Sequence, residues 1–354
     1  MKLNRTFFLA GALAFLGTPA HAEPPSVVAS IKPVHALVSN IMQGVGKPSL
    51  IIKGGSSPHT YSLRPSDARA LQGADVIFWI GPKLEAFLEK PIGSLGKGAR
   101  VISLMEAHGL SHVAFREGGP FEGHDHDHHG EDEHDDHEKD GHDKHGHDDH
   151  EKDGHDKHGH DAHGDERDHH IWLDPKNAKA MAHEIAEVLS AADPENAARY
   201  EANAEALEGQ LDSLTVELQK MLEPVHERPF IVFHDAYQHF ERRFDLKTAG
   251  SITVSPEVIP GAERVANIQQ KVKELGATCV FSEPQFTPRL VKVVTEGTTA
   301  KSGVLDPLGT GIPNGPGLYF TLLRNMAGSI QEALKMMGGL GLDGAKLANT
   351  EDEF

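Results

Sequence analysis

From Glu122 to Asp168 the chain carries 14 histidines, 20 acidic residues and only five Lys or Arg, so this segment cannot build a core and whatever folds must fold on either side of it. The same composition is rich in metal donors. Imidazole suits Zn, Cu and Ni, whereas carboxylate alone would suit Ca or Mg, so the mixture points first to a borderline ion such as Zn²⁺. His124, His126, His128 and His129 fall within six residues, close enough for a flexible backbone to wrap around one ion, and His134 follows. HEKDGHDKHGHDD (137–149) is then repeated as HEKDGHDKHGHDA (150–162), giving His137, His142, His145 and His147, then His150, His155, His158 and His160, with His163 after them. A period of 13 with no apolar face to stack reads as duplicated low complexity, not as a solenoid. The alternative to metal capture is a solvated acidic linker.

Residues 1–22 carry an address. Lys2 and Arg5 precede the apolar stretch Phe7–Gly17, and Ala20-His21-Ala22 precedes Glu23, the pattern of a cleaved secretory signal, with the mature protein starting near Glu23. No other run approaches the ~18–20 apolar residues of a membrane span, and no cysteine stands at the cleavage point to take a lipid, so a soluble periplasmic protein is expected. Cys279 is the only cysteine and lies in an apolar run, which reads as a buried small hydrophobe.

The net charge of −19 divides into −15 for 122–168 and −4 for the rest, where 29 basic residues face 33 acidic ones. That even balance provides no basic footprint for nucleic acid. Without signal and loop about 285 residues remain, enough for two modest domains.

Short apolar runs at Val27–Ile31, Ser49–Ile52, Val76–Ile80 and Val101–Leu104 read as strands. Between them Pro33 opens a helix Val34–Met42, Pro65 one over Ser66–Leu71 and Pro82 one over Lys83–Leu88. This rhythm argues an α/β fold with a parallel sheet. After the His-rich segment, His170–Leu173 is a brief strand or turn leading into a helix through Leu189. Asp193-Pro194 then caps a helix over 194–222, about 43 Å long, with Leu207, Leu211, Leu214, Leu218 and Leu222 at three- and four-residue steps. Such a helix would join two lobes. The second half repeats the style of the first: strands Phe230–Phe233, Thr278–Phe281 and Gly303–Leu305, helices Gly261–Leu275, Pro288–Gly297 and Leu318–Met337. The expected organisation is a signal over 1–22, an N-terminal lobe 23–173 containing the loop 122–168, a linking helical segment 174–226, a C-terminal lobe 227–340 and a tail 341–354.

Ligands of open α/β sheets sit beyond the carboxyl ends of strands. His59 follows Ser49–Ile52, His170 begins the run after the loop, His234 ends Phe230–Phe233, and Asp306 ends Gly303–Leu305. Three neutral imidazoles with a carboxylate or water would give Zn²⁺ a tetrahedral shell. His35, His183, His226 and His239 lie on helices or near their ends and read as packed or solvated. Zincin, nucleophile-elbow, P-loop and dinucleotide fingerprints are all absent, which argues against an enzyme. For Asp235 and Glu283, supporting a histidine ligand is the economical role.

His59-Thr-Tyr-Ser-Leu-Arg-Pro-Ser-Asp67, His170-Ile-Trp-Leu, Phe233-His-Asp-Ala-Tyr237, Phe281-Ser-Glu-Pro-Gln-Phe286 and Leu305-Asp-Pro-Leu-Gly309 resemble, in order and over nearly all of the mature chain, the periplasmic zinc-binding component of high-affinity zinc-uptake ABC transporters. The resemblance implies two α/β lobes bridged by a long rigid helix, an interlobe metal site and a His/Asp-rich loop at its entrance acting as an auxiliary low-affinity store. His59, His170 and His234 match the family's three histidine ligands, and Asp306 matches the carboxylate that completes the shell in related metal binders. Zinc-branch members often have an acidic residue just before the first ligand, where this chain has Pro58, and enterobacterial members pair two cysteines where Cys279 has no partner.

The expectation is therefore a non-enzymatic, monomeric receptor that captures Zn²⁺ as cargo and passes it to an ABC permease, with periplasmic zinc chaperones as further partners. Its rivals are a manganese receptor of the same fold, which would favour a carboxylate in place of one histidine, and a zinc or nickel buffer uncoupled from transport.

Overall fold

The computed structural model describes residues 23–116, 121, 167–253, 255–276 and 278–347. The expected signal 1–22, the fourteen loop histidines and residues 348–354 of the expected tail lie outside the described residues.

In the first lobe, β1 (Val27–Ala29), β2 (Ser49–Leu50), β3 (Val76–Trp79) and β4 (Arg100–Ser103) form a parallel sheet in the order β2-β1-β3-β4. The connections are α1 (Lys32–Ile41), α2 (Pro65–Gln72) and α3 (Ala86–Leu95). Both β1 and β3 are buried throughout, as expected of strands covered on two faces. Pro33 stands in the first turn of α1, and Pro65 opens α2, where the carboxylate of Asp67 accepts from the Arg64 N–H and satisfies one of the amides a helix start leaves free.

The second lobe has the same plan. β5 (Phe230–His234), β6 (Thr248–Thr253), β7 (Cys279–Ser282) and β8 (Lys301–Val304) are parallel in the order β6-β5-β7-β8, with helices between them. In each sheet the chain direction of winding reverses beside the first strand, so a crevice opens beyond its carboxyl end. Alternate residues of β5 serve two cores. Phe230 and Val232 join the main core, and Ile231 and Phe233 pack with Ile252, Ile268, Val272, Val280, Val291 and Val294 under α7 (Ala262–Leu275) and α8 (Arg289–Thr295).

Between the lobes run α4 (Pro175–Ala192) and α5 (Ala197–Leu222). Asp174 caps α4 by accepting from the Lys176 N–H at 2.8 Å, with Pro175 at the first helical position. Tyr200, Ala204, Leu207, Leu211, Leu214, Leu218 and Leu222 form the buried stripe of α5. The last helix, α9 (Leu318–Leu347), returns to pack on α1 and α5, so Leu323, Met326 and Ile330 belong to the same core as β1 and β3. The main core therefore draws on both lobes and on the helices between them.

Several elements differ from the sequence expectation. The helix expected over 194–222 is broken: Pro194–Asn196 is a separate 3-10 turn in which Asp193 accepts from the Asn196 amide and the Tyr200 hydroxyl, and α5 begins only at Ala197. The helix expected from Pro82 begins at Ala86, after Glu85 turns back to accept from the Ile80 and Gly81 amides. The final helix passes residue 340. Sequence reasoning missed α6 (Gln238–Phe244) and β6, whose Thr-Ala-Gly-Ser-Ile-Thr carries too few large apolar residues to signal a strand. Among the described residues no helix is long and apolar enough to cross a membrane.

Candidate metal centre

His59, His170 and His234 converge at the cleft from three separate parts of the chain. His59 lies in the irregular turn after β2, where its N–H donates to Ser57 Oγ. Two residues on, the buried Tyr61 hydroxyl donates to Asp67 at 2.8 Å and ties this turn to α2. Gly55 lets the turn approach the second lobe, since a Cβ there would meet the Thr310 methyl at 2.7 Å. His170 precedes the 3-10 turn Ile171–Leu173, whose three side chains are buried. Trp172 donates its indole N–H to the Pro307 carbonyl at 2.8 Å and so fixes that turn on the second lobe. His234 is the carboxyl-terminal residue of β5 and is 3 % exposed.

Two of these imidazoles have their orientation set by a buried carboxylate. His170 Nδ1 donates to Asp168 Oδ1 at 2.7 Å, and His234 Nδ1 donates to Glu283 Oε1 at 2.5 Å. Burial alone would raise the Asp168 carboxyl, but the His170 ring, His239 and the His170 N–H outweigh it and hold Asp168 below the usual carboxylate range. With both Nδ1 atoms engaged as donors, each neutral ring leaves its Nε2 lone pair free, and these two Nε2 atoms face one another at 3.4 Å. Two lone pairs cannot hydrogen-bond to each other. A cation placed between them removes the repulsion, and tetrahedral zinc with Zn–N bonds of about 2.0–2.1 Å sets donor atoms about 3.3–3.4 Å apart. The His59 ring centroid is 5.7 Å from each of the other two, and the three rings offer donor atoms all within 4.8 Å of one another. Their shared cavity, of about 10 Å³, has room for one water-sized sphere.

Asp306, the fourth residue expected here, is not part of that three-histidine group. Its Oδ1 accepts from the Leu308 and Gly309 amides and its Oδ2 from that of Thr310, because a carboxylate at the end of β8 can cap the turn that follows. Oδ1 also takes the Gln285 amide N–H at 2.8 Å. Gln285 lines the histidine cavity, and its Oε1 is buried without a hydrogen-bond partner. An unsatisfied buried acceptor beside three imidazoles suits an ion or an ion-bound water.

Glu283 supports a histidine, whereas Asp235 does not. Asp235 and Glu241 both accept from Arg116, whose guanidinium also lies 3.9 Å from the Phe121 ring centre, so this ion pair ties the stem of the His-rich segment to the second lobe. His35 is buried near the Pro48 carbonyl, and His239 bridges Asn177 and the Asp168 carbonyl. Asp168 was hidden from sequence reasoning among the acidic residues of the loop, although its two-residue spacing from His170 is the available signal. A second group, His226, Glu227 and Asp245, is more exposed, and there His226 donates to the Glu223 carbonyl while Glu227 pairs with Lys247, as on an ordinary solvated surface. Of two surface hollows of about 500 Å³ along α4 and α5, one is lined by mixed charges, among them the paired Lys179 and Asp212, and the other by His183, Glu187, Glu201, Glu205 and Glu208; neither is among the groups of converging donor atoms found in the described residues.

Known proteins share sequence and architecture with this chain. The family described as "ZnuA: Zinc-uptake complex component A periplasmic" matches residues 27–333. The high-affinity zinc uptake system protein ZnuA of Brucella abortus is 58% identical over 336 residues, covering 94% of this chain and 99% of its own. The protein of the same name from Paracoccus denitrificans is 43% identical, covering 92% and 97%. A crystal structure of ZnuA superposes with a TM-score of 0.68 at 25% identity over 88% of this chain and 99% of its own. The periplasmic zinc-binding protein TroA from Treponema pallidum, at 19% identity and a TM-score of 0.69 over 88% and 99%, shares the fold. The two-lobed parallel architecture and the sequence likeness over nearly the whole chain lead to one assignment: this chain belongs to the periplasmic zinc-uptake component A family.

Proposed function

We propose that this protein captures Zn²⁺ as cargo between its lobes, with His59, His170 and His234 as nitrogen ligands, and delivers it to the membrane permease of an ABC importer. The observation that carries the reading is the 3.4 Å approach of two Nε2 lone pairs whose Nδ1 atoms are already committed to carboxylates. Three imidazoles favour Zn²⁺ over Mn²⁺, which prefers harder oxygen donors. The fourth position takes an oxygen: a bound water held by Gln285 Oε1, with Asp306 fixing the amide that holds it, or Asp306 itself after rearrangement of its turn. Non-enzymatic action is in keeping with membership of a zinc-uptake family. Cleavage near Ala22, a monomeric state, exchange with periplasmic zinc chaperones and a weak auxiliary store on the loop histidines complete the proposal.

The test is zinc-limited growth of a strain lacking the gene. The wild-type protein should restore growth, and His170→Ala and His234→Ala should not, although both are exported. Restoration by these variants would refute the site, and growth of the strain without any copy would refute a role in uptake.

A further inference from the structure

Each of the three histidines has a carboxylate against its Nδ1, but the third differs in origin. Asp168 lies two residues from His170, and Glu283 belongs to the same lobe as His234. The partner of His59 is Glu257, whose Oε1 is 3.3 Å from Nδ1, and it comes from across the cleft. His59 is a first-lobe residue, and Glu257 sits in the connection between β6 and α7 of the second lobe. The Glu257 side chain is 39% exposed, against 0% and 2% for Asp168 and Glu283. It is nevertheless held in place. Ser255 and Val258 close a turn by a 3.2 Å amide-to-carbonyl bond, Thr253 donates its hydroxyl to the Ser255 carbonyl at 2.7 Å, and the Ser255 hydroxyl donates to the other Glu257 oxygen.

We propose that Glu257 is a positioning residue for the metal, a second-lobe carboxylate that fixes the Nδ1–H of a first-lobe ligand and thereby ties retention of Zn²⁺ to contact between the lobes. The proposal rests on the three-histidine reading. Glu257 lies outside the group of converging donors and stands against His59 Nδ1, so its role is through His59 and not on the ion. Accepting from Nδ1 leaves Nε2 as the free donor of His59, the same tautomer as in the other two rings, and raises its basicity toward a metal. His59 is also the most exposed of the three rings, at 15%, and therefore the ligand whose orientation most needs an external hold. Separation of the lobes would withdraw this hold without disturbing Asp168 or Glu283, which makes His59 the first ligand to let go.

The experiment measures zinc affinity by competition with a chelator and zinc release by stopped flow, on the full chain, for Glu257→Ala, Glu257→Gln, His170→Ala and His234→Ala. Glu257→Ala should weaken binding by about 10-fold, almost entirely through faster release, with the melting temperature of the zinc-free protein unchanged. Glu257→Gln keeps an acceptor for Nδ1–H and should recover most of the loss. Nitrogen NMR of the zinc-bound wild type should show His59 protonated at Nδ1. Wild-type affinity and release in Glu257→Ala, alongside loss of tight binding in both histidine variants, would overturn the role of Glu257 and leave the site intact. A carboxylate oxygen in the zinc shell that disappears in Glu257→Ala would make it a ligand and overturn positioning. Tight binding surviving in His170→Ala and His234→Ala would instead overturn the site itself.

Discussion

His170 Nε2 and His234 Nε2 stand 3.4 Å apart, each on a ring whose Nδ1 donates to a buried carboxylate. The arrangement is costly without a cation, because two desolvated acceptors face each other, and favourable with one. The carboxylates should therefore matter almost as much as the rings. Asp168→Ala and Glu283→Ala should each lower zinc affinity by about 10–100-fold, measured by competition against a chelator of known strength. An unchanged affinity in either variant would mean that the tautomer is set by something else.

Asp306 and Gln285 are joined by a 2.8 Å hydrogen bond, and only Gln285 lines the cavity. If Asp306 acts by holding the Gln285 amide, Asp306→Ala and Gln285→Ala should each weaken zinc binding, and the double variant should be little worse than the weaker single one. Affinities of the four proteins at one pH provide the coupling. Additive losses would show that Asp306 reaches the ion by a route of its own.

The two-lobed plan was legible because both faces of each sheet are covered, so β1, β3, β5 and β7 read as unbroken apolar runs with a histidine, acid or turn at their carboxyl ends. The same logic singled out His59, His170, His234 and Asp306 and left the position of the Asp306 carboxylate open, since a run such as Leu305-Asp-Pro-Leu-Gly309 can cap its own turn or face the cleft. Glu257 gave no signal, because its partner lies across the cleft and it stands in no cluster of donors. Gln285 fell within the Phe281–Phe286 run just past β7, but no sequence signal assigned it a role, because its partner Asp306 belongs to another strand end. Asp168 was read with the loop because charge density, not geometry, set that boundary.

That boundary has a consequence for truncation. Removing 122–166 should lower zinc stoichiometry and leave one tight ion, because a polar segment of this composition is expected to order its donors only on binding and so to bind weakly. Extending the deletion through Asp168 should also damage the tight site, by removing the acceptor of His170 Nδ1. Calorimetry of both deletions distinguishes the two stores, and equal behaviour of the tight site in both would contradict the role of Asp168.

Glu85 gives a pH dependence to the stability of the first lobe. Burial pushes its carboxyl from the ordinary 4.5 up to about 7, against the opposing hydrogen bonds from the Gly81 and Ile80 amides. Between those values the folded chain keeps a proton that the unfolded chain has released, so stability falls as pH rises through this window and levels off above about 7. The loss is on the order of 3 kcal/mol. Urea unfolding of the zinc-free protein and of Glu85→Gln should diverge accordingly, the wild type losing stability relative to the variant from pH 4.5 to 7.5. Divergence in the opposite direction would show that the carboxylate, not the acid, is the form the fold favours.

The most direct test of the account is X-ray absorption on the 122–166 deletion loaded with one equivalent of Zn²⁺. Three imidazole nitrogens at about 2.0–2.1 Å with one oxygen neighbour are expected, falling to two imidazoles in His234→Ala. A wild-type shell with fewer than three imidazoles, or one unchanged by that substitution, would contradict a zinc centre built from His59, His170 and His234.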